Sequence, residues 1–441
     1  MKTRNLRGLL RMAAFFALLL VLIRFANTFL VQTDASSFMT LHEMKTAERI
    51  ELALVGSSVV RNQFNPALIS EQTGLDTFCA AIPCLAMPGS LALTSMLYDD
   101  HSPEWTVLFV EHDTFFTELT EAEDRLMPQL TNPLRRAAYL TDLCMEDGRW
   151  IDRFFLFKNL HVASAVQLRK TVSLRLDPKA YLREHPGLVS GNDRYAGRGF
   201  VQMCLEEDID GWLREENLSP TSCASPTEPS EADKRRLLQY RDMCARKGSR
   251  LLVVCTPNLT ARTLAEPSYT QLRENLARFM EENGIAFVDF SLARPELLPD
   301  LTDYYLDYFH VNAEGADILS ASFARFFNLY AAGEDVSALF YGSYEEYLNT
   351  INYITNVYTE TREDGEEEVV RAGSNRGPRV EAEYRFALVN EDGTETVVQD
   401  YSENREYRTR RSHHRGKKLR VYARAKGCRQ DDHVYSEVEL K

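Results

Sequence analysis

Two short motifs, far apart in the chain, carry residues that could together perform nucleophilic chemistry. The apolar run Leu54-Val55-Gly56 stops in Ser57-Ser58, and far downstream Asp307-Tyr308-Phe309-His310 precedes Val311-Asn312-Ala313-Glu314-Gly315. A serine hydroxyl is a poor nucleophile at neutral pH and needs an adjacent base. His310 supplies an imidazole, and Asp307 supplies the carboxylate that would fix its tautomer and stabilise its cation. The developing oxyanion also needs preorganised donors. The nucleophile's own N–H is one. The N–H of Gly89, in the Pro88-Gly89-Ser90 turn, is another, because glycine permits close approach. The expected chemistry is serine attack on an ester or acyl group, which requires neither a metal nor an organic cofactor.

The intervening chain must bring these residues to one place. Residues 51–57 are almost continuously apolar, as a strand buried on both faces should be. Val107-Leu108-Phe109-Val110, Leu251-Leu252-Val253-Val254-Cys255 and residues 285–290 read the same way. Between them the spacing predicts helices over 91–97 (opened by a Ser90 cap), 231–247 (stopped by Gly248), 269–282 and 313–328, the last with Asn312 as its cap. This alternation argues for an α/β fold with a parallel sheet covered on both faces. Ligands of such sheets bind at the carboxyl ends of the strands. Ser57-Ser58, Glu111-His112-Asp113 and Thr256-Pro257-Asn258 are therefore expected on one rim. Arg61 and Asn62 are expected at a solvated helix start.

Residues 118–230 interrupt the alternation and read as a helical insertion. It is either a lid or membrane-facing cap, or plain packing with no role in substrate choice. Residues 361–368 are acidic and expected to be solvated. The period-two runs beyond, with an Asp392-Gly393 turn, predict a small β-sandwich over 370–441. Arg405 to Lys418 form a basic cluster that would meet an anionic wall polymer or lipid surface, or else decorate a solvated hairpin tip.

The first 35 residues are a segment apart. Lys2, Arg4, Arg7 and Arg11 precede an apolar run that continues to Val31 and is broken by Arg24. It predicts a single-pass signal anchor, with a cleaved signal peptide as the alternative. The basic flank sets the N-terminus in the cytoplasm and everything after about residue 35 outside. A net charge of −14 argues against general nucleic-acid binding. The eight cysteines include no Cys-x-x-Cys pair and no zinc spacing, so no metal site is expected. Cys244 and Cys255 read as core, and Cys79 and Cys84 are near enough in sequence to bridge.

Over about residues 50–330 the chain resembles the SGNH (GDSL-like) hydrolase and acyltransferase superfamily. Gly56-Ser57-Ser58 takes the place of Gly-Asp-Ser, Gly89 falls at the second-block glycine, and Asp307-x-x-His310 matches the last block. The string Val55 to Pro66 is similar to the Gly-Ser-Ser branch, which includes envelope proteins of teichoic-acid D-alanylation and exopolysaccharide acetylation. The resemblance implies a flavodoxin-like three-layer sheet over 48–335. It selects Ser58 over Ser57 as nucleophile, with His310 as base and Asp307 as its orienter. Gly89, Ser57 and Asp113 would then serve the oxyanion or substrate. The implied activity is that of a bacterial membrane-anchored esterase or O-acyltransferase. Its partners would be a cell-envelope glycan or acylated polymer and an acyl-donor membrane protein. Glu111-His112-Asp113 stand where the family carries Gly-x-Asn-Asp. That departure favours the alternative, a non-catalytic envelope polysaccharide-binding protein that retains the fold.

Overall fold

The apolar run after Glu51 does form a strand. β1 (Leu52–Gly56) is buried at all five positions in the computed structural model, which describes residues 2–32, 34–115, 118–159, 162–205, 208–220, 225–428 and 434–440. β2 (Thr77–Ala81) and β3 (Trp105–Val110) are equally buried. Both pair with β1 in parallel, from Leu52 against Thr77 and from Leu52 against Trp105. A short hairpin, β4 (Asp193–Gly197) and β5 (Phe200–Met203), follows within the insertion. With β6 (Arg250–Cys255) and β7 (Ala286–Asp289), the main sheet has the order β2-β1-β3-β6-β7. Counted by chain position within the sheet, this is the doubly wound order 2-1-3-4-5.

The chain divides into two compact units, Met1–Cys204 with Ser230–Val253, and Leu205–Pro229 with Val254–Lys441. In the first, the helix Lys2–Phe29 contains one window, Gly8–Phe29, long and apolar enough to cross a membrane. Arg24, within that window, faces protein: its guanidinium donates to the Pro128 carbonyl at 2.9 Å. Asn27 donates to the Phe154 carbonyl at 3.0 Å, and the Val162 N–H donates to the Leu30 carbonyl at 2.7 Å. The insertion holds helices Pro133–Asp147, Trp150–Phe154, Ala165–Leu176 and Pro178–Glu184 as well as the β4–β5 hairpin. Its fully buried Arg153 is neutralised by Asp124 at 2.8 Å and Asp147 at 2.6 Å. The hairpin covers the edge of β2, where the Cys79 N–H donates to the Arg198 carbonyl at 3.0 Å. Gly199 is required there, because its φ is +81° and a Cβ would lie 1.9 Å from the Cys79 oxygen.

The helix after β2 differs from expectation. It spans Met87–Asp100, so Ser90 lies inside it and does not cap it. Pro88 suits the first turn, and the N–H of the cap residue Ala86 is satisfied from outside by Glu123 at 2.6 Å. The helix Glu231–Lys247 ends at Gly248 as the spacing predicts.

The second unit contains a buried ion cluster. Arg273, on the helix Pro267–Glu282, donates to both oxygens of Asp289 at 3.0 and 2.9 Å and to the Thr256 carbonyl at 3.0 Å. The Tyr344 hydroxyl donates to the same carboxylate at 2.8 Å. Beyond it, β8 (Ile354–Asp364) and β9 (Glu367–Arg376) form a hairpin that pairs later with β12, while β10 (Ala382–Val389) and β11 (Glu395–Ser402) open a second sheet. β12 (Glu406–Arg410), β13 (Lys418–Ala425) and β14 (Val434–Glu439) complete a three-stranded sheet, β12-β9-β8, and a four-stranded one, β11-β10-β13-β14. Val357, Val370, Phe386, Leu419 and Val421 from both sheets share one core, which makes a sandwich whose first strand begins ahead of residue 370. The register of β11 on β10 slips twice, between Tyr384 and Phe386 and between Phe386 and Ala387. The acidic stretch 361–368 is not merely solvated. It is hairpin, with Glu368 buried, Asp364 paired to Arg408 at 3.0 Å and Glu363 to Arg411 at 2.9 Å. Part of the basic cluster is therefore neutralised within the sandwich.

All the described cysteines are free, Cys79 buried and Cys84 exposed, and Cys223 lies outside the described residues. Cys244 and Cys255 are core, as expected.

Candidate active site

The first unit carries the serines. In the sheet order the chain turns from β1 to β2 on one side and to β3 on the other, so the switch point of the sheet lies between β1 and β3. Ser57, directly after β1, occupies the cap position of the helix Ser58–Gln63, with φ −101° and ψ −150°. Its hydroxyl does not cap the helix. It donates instead to Oε1 of Glu111, the residue directly after β3, so one hydrogen bond bridges the switch point. Gly56 leaves room for this turn, since a Cβ would sit 2.5 Å from Val60 Cγ2. Ser58 is half-buried as the first residue of the helix.

Arg61 and Asn62, expected at a solvated helix start, are both buried. The helix packs inward, and the Arg61 guanidinium donates to Ser36 Oγ at 3.1 Å and approaches Asp34 at 3.5 Å. Burial draws the Arg61 guanidinium below its ordinary value, and Asp34 opposes that shift. Beside it lies a cavity of about 410 Å³ lined by Phe38, Arg61, Cys84, Arg125 and Leu126 among others.

Gly89 is buried in the first turn of Met87–Asp100. A Cβ there would lie 2.3 Å from Leu85 Cδ1 and 2.6 Å from its Cγ, so any larger residue would require Leu85 to move. The backbone of His112 and Asp113 forms a 3-10 turn, but their side chains lie outside the described residues. The sequence places Glu111, His112 and Asp113 together on this rim and gives a substrate role only to Asp113, whereas it is Glu111 that engages Ser57. The available signal was position: Glu111 is the first polar residue after the apolar strand.

The second unit carries the Asp307-x-x-His310 motif. Residues 305–311 close on themselves: Tyr305 and Val311 form a bridge, and the Leu306 N–H donates to the His310 carbonyl at 2.8 Å. Asp307 Oδ1 accepts from the N–H groups of Phe309 and His310 at 2.9 and 2.8 Å. Its Oδ2 lies 2.7 Å from His310 Nδ1. Burial pushes the Asp307 carboxyl up, but the hydrogen bond and charge of His310 and the two amides outweigh it and hold the group below the usual carboxylate range. The neutral ring that donates Nδ1–H to this carboxylate presents Nε2 as an acceptor, the form a general base needs.

The helix Ala313–Ala331 fixes the loop from behind. Asn312 caps it, accepting from the Gly315 N–H at 3.0 Å, as expected. A Cβ on Gly315 would meet Tyr304 Cβ at 2.7 Å and Val311 Cβ at 2.9 Å, so loop and helix touch through glycine. Tyr308 is held against Trp212, with ring centroids 4.8 Å apart, and under the Arg262 guanidinium.

Among the described residues no group of three or more His, Cys, Asp or Glu is placed to hold a metal ion. No family model matches the chain, and no curated protein matches it. Among solved structures, the chain is similar to a protein assigned to the lipolytic G-D-S-L family from Desulfitobacterium hafniense DCB-2, at 9% identity and a TM-score of 0.26, over 63% of this chain and 99% of that one. It is also similar to the endo-β-1,4-mannanase of Thermotoga petrophila, at 12% identity and a TM-score of 0.17, over 80% and 82%. At such scores neither likeness bears on function.

Proposed function

We propose that this protein is a membrane-anchored, extracytoplasmic serine esterase or O-acyltransferase of the SGNH type, acting on ester groups of a cell-envelope glycan or polymer. The observation that carries the reading is the Asp307–His310 pair, an imidazole whose tautomer is set by a carboxylate that two backbone amides hold in place. The doubly wound strand order, with serines at the end of β1, accords with a flavodoxin-like three-layer architecture. Engagement of Ser57 by Glu111 supports Ser58 as the nucleophile.

In this mechanism Ser58 Oγ attacks the acyl carbon while His310 Nε2 takes the hydroxyl proton. The N–H groups of Ser58 and Gly89 receive the oxyanion. Collapse of the tetrahedral intermediate breaks the bond to the leaving oxygen, which takes the proton from His310 and leaves an acyl-Ser58 ester. A glycan hydroxyl or water, deprotonated by His310, then attacks that ester and releases Ser58. An acyl-donor membrane protein would supply the first substrate.

A second reading has an observation of its own. Glu111-His112-Asp113 stand where the superfamily carries the Gly-x-Asn-Asp block, so that block's oxyanion-binding asparagine has no counterpart in this stretch, which favours a non-catalytic polysaccharide-binding protein. A fluorophosphonate probe on the folded full-length chain separates the two. Labelling that disappears in Ser58→Ala and in His310→Ala supports catalysis. Labelling that persists in Ser58→Ala but vanishes in Ser57→Ala moves the nucleophile by one residue. A folded wild type that never labels, and does not hydrolyse p-nitrophenyl acetate, supports the binding protein.

A further inference from the structure

The helix Lys2–Phe29 and the insertion together pose a problem of length. Apolar side chains from Leu9 to Leu22 are largely exposed, whereas from Ile23 onward the helix is covered by protein along one side. The cover is the insertion: a cleft of about 290 Å³ is lined by Leu20, Ile23 and Asn27 on one wall and by Ala137, Leu140 and Phe154 on the other. The Arg24–Pro128, Asn27–Phe154 and Leu30–Val162 hydrogen bonds tether the two along this stretch. The uncovered residues Gly8–Leu22 extend only about 22 Å at 1.5 Å per residue, while a bilayer's hydrocarbon core is roughly 30 Å thick. If the helix spans, the covered part must enter the membrane and carry the insertion with it, to a depth of about 5–10 Å, which is that of interfacial helices.

The surface of the insertion suits this depth. Leu134, beside the Pro133 that lines the cleft, is 80% exposed. On the next helix Ile151 is 72% exposed and Trp150 46%, and Phe154 at its end is exposed as well. An amphipathic aromatic such as tryptophan favours the boundary between headgroups and acyl chains.

We propose that the insertion is a second membrane-binding element: Leu134, Trp150, Ile151 and Phe154 bury in the lipid interface of the leaflet at the C-terminal end of the helix. The ligand is the phospholipid bilayer itself, in continuity with the apolar helix. The proposal rests on reading Gly8–Phe29 as a span, and it predicts a body held flat against the membrane rather than one hung from a tether.

The test is depth-dependent quenching of tryptophan in the full-length chain, reconstituted into vesicles of phosphatidylcholine with or without bromine on the acyl chains. The chain has three tryptophans, and Trp105 is buried in β3. Brominated lipid is expected to quench wild-type emission, and Trp150→Phe is expected to abolish that quenching while incorporation is unchanged. Ile151→Asp should lower the quenching at least twofold in protein that still floats with the vesicles. Incorporated protein that is not quenched, or is quenched equally in Trp150→Phe, overturns the docking proposal. Protein that neither floats with vesicles nor resists carbonate extraction overturns the span on which it rests.

Discussion

Asp307→Asn changes a single atom, and the surroundings of that atom decide the consequence. Oδ1 of Asp307 accepts from two backbone N–H groups, so the asparagine must keep its carbonyl oxygen there. Turning the amide over would face its NH₂ against two donors and leave both unsatisfied, at about 1–3 kcal/mol each. The NH₂ therefore points at His310 Nδ1, where the carboxylate oxygen now lies 2.7 Å away. A ring that must accept at Nδ1 carries its proton on Nε2, the nitrogen that has to receive the serine proton. The loss expected for a wrong tautomer with intact geometry is about 10⁴-fold, or about 5 kcal/mol of barrier. The assay is the second-order rate of fluorophosphonate labelling at pH 7.5, with circular dichroism to confirm the fold. Asp307→Asn retaining activity within tenfold of wild type would refute the reasoning, because the carboxylate would then not be setting the tautomer.

Other perturbations have equally definite outcomes. Because the Asp307 carboxyl is held below the ordinary carboxylate value, near 3.9, its contribution to stability is complete above that pH and is lost as pH falls through the lower folded value. The difference in melting temperature between wild type and Asp307→Asn should thus stay constant from pH 7 to about 5 and shrink only below about pH 4; a difference that vanishes by pH 6 would contradict the shift. Gly315→Ala should cost about 1–3 kcal/mol in urea unfolding through overpacking against Tyr304 and Val311, and should slow labelling by displacing the loop. Asp289→Ala leaves the buried Arg273 guanidinium without its carboxylate, a loss of about 3–5 kcal/mol that should lower the melting temperature by roughly 6–20 °C. A fall under 2 °C would show that the pair contributes little.

How legible each element was depends on what its residues had to satisfy. β1, β3 and β6 could be read because strands buried on both faces lose their polar alternation. β2 was not named, because Thr77-Phe78-Cys79-Ala80-Ala81 is short, small-sided and lacks a β-branched run. Ser90 looked like a cap because capping is a local rule, but the helix starts three residues earlier, where Glu123, distant in sequence, serves the end of the helix. The β4–β5 hairpin was hidden within an apparently helical insertion, since its partner is the edge of β2 and not a neighbouring segment. At the site, Asp307, His310 and Asn312 were legible because their interactions span two to three residues. The Ser57–Glu111 contact joins residues 54 apart and exists only through the sheet order.

The slipped register of β11 has a bearing on the protein's colloidal behaviour. β11 is an outer strand of its sheet and shows an exposed Val397, the profile of a site onto which a second chain could add by strand pairing. The two irregularities against β10 twist its backbone out of a straight ladder, and the exposed Asp400 puts charge along it. A foreign strand therefore meets neither a regular row of amides nor a neutral surface. The imperfect pairing keeps the sandwich from serving as a template for its own aggregation.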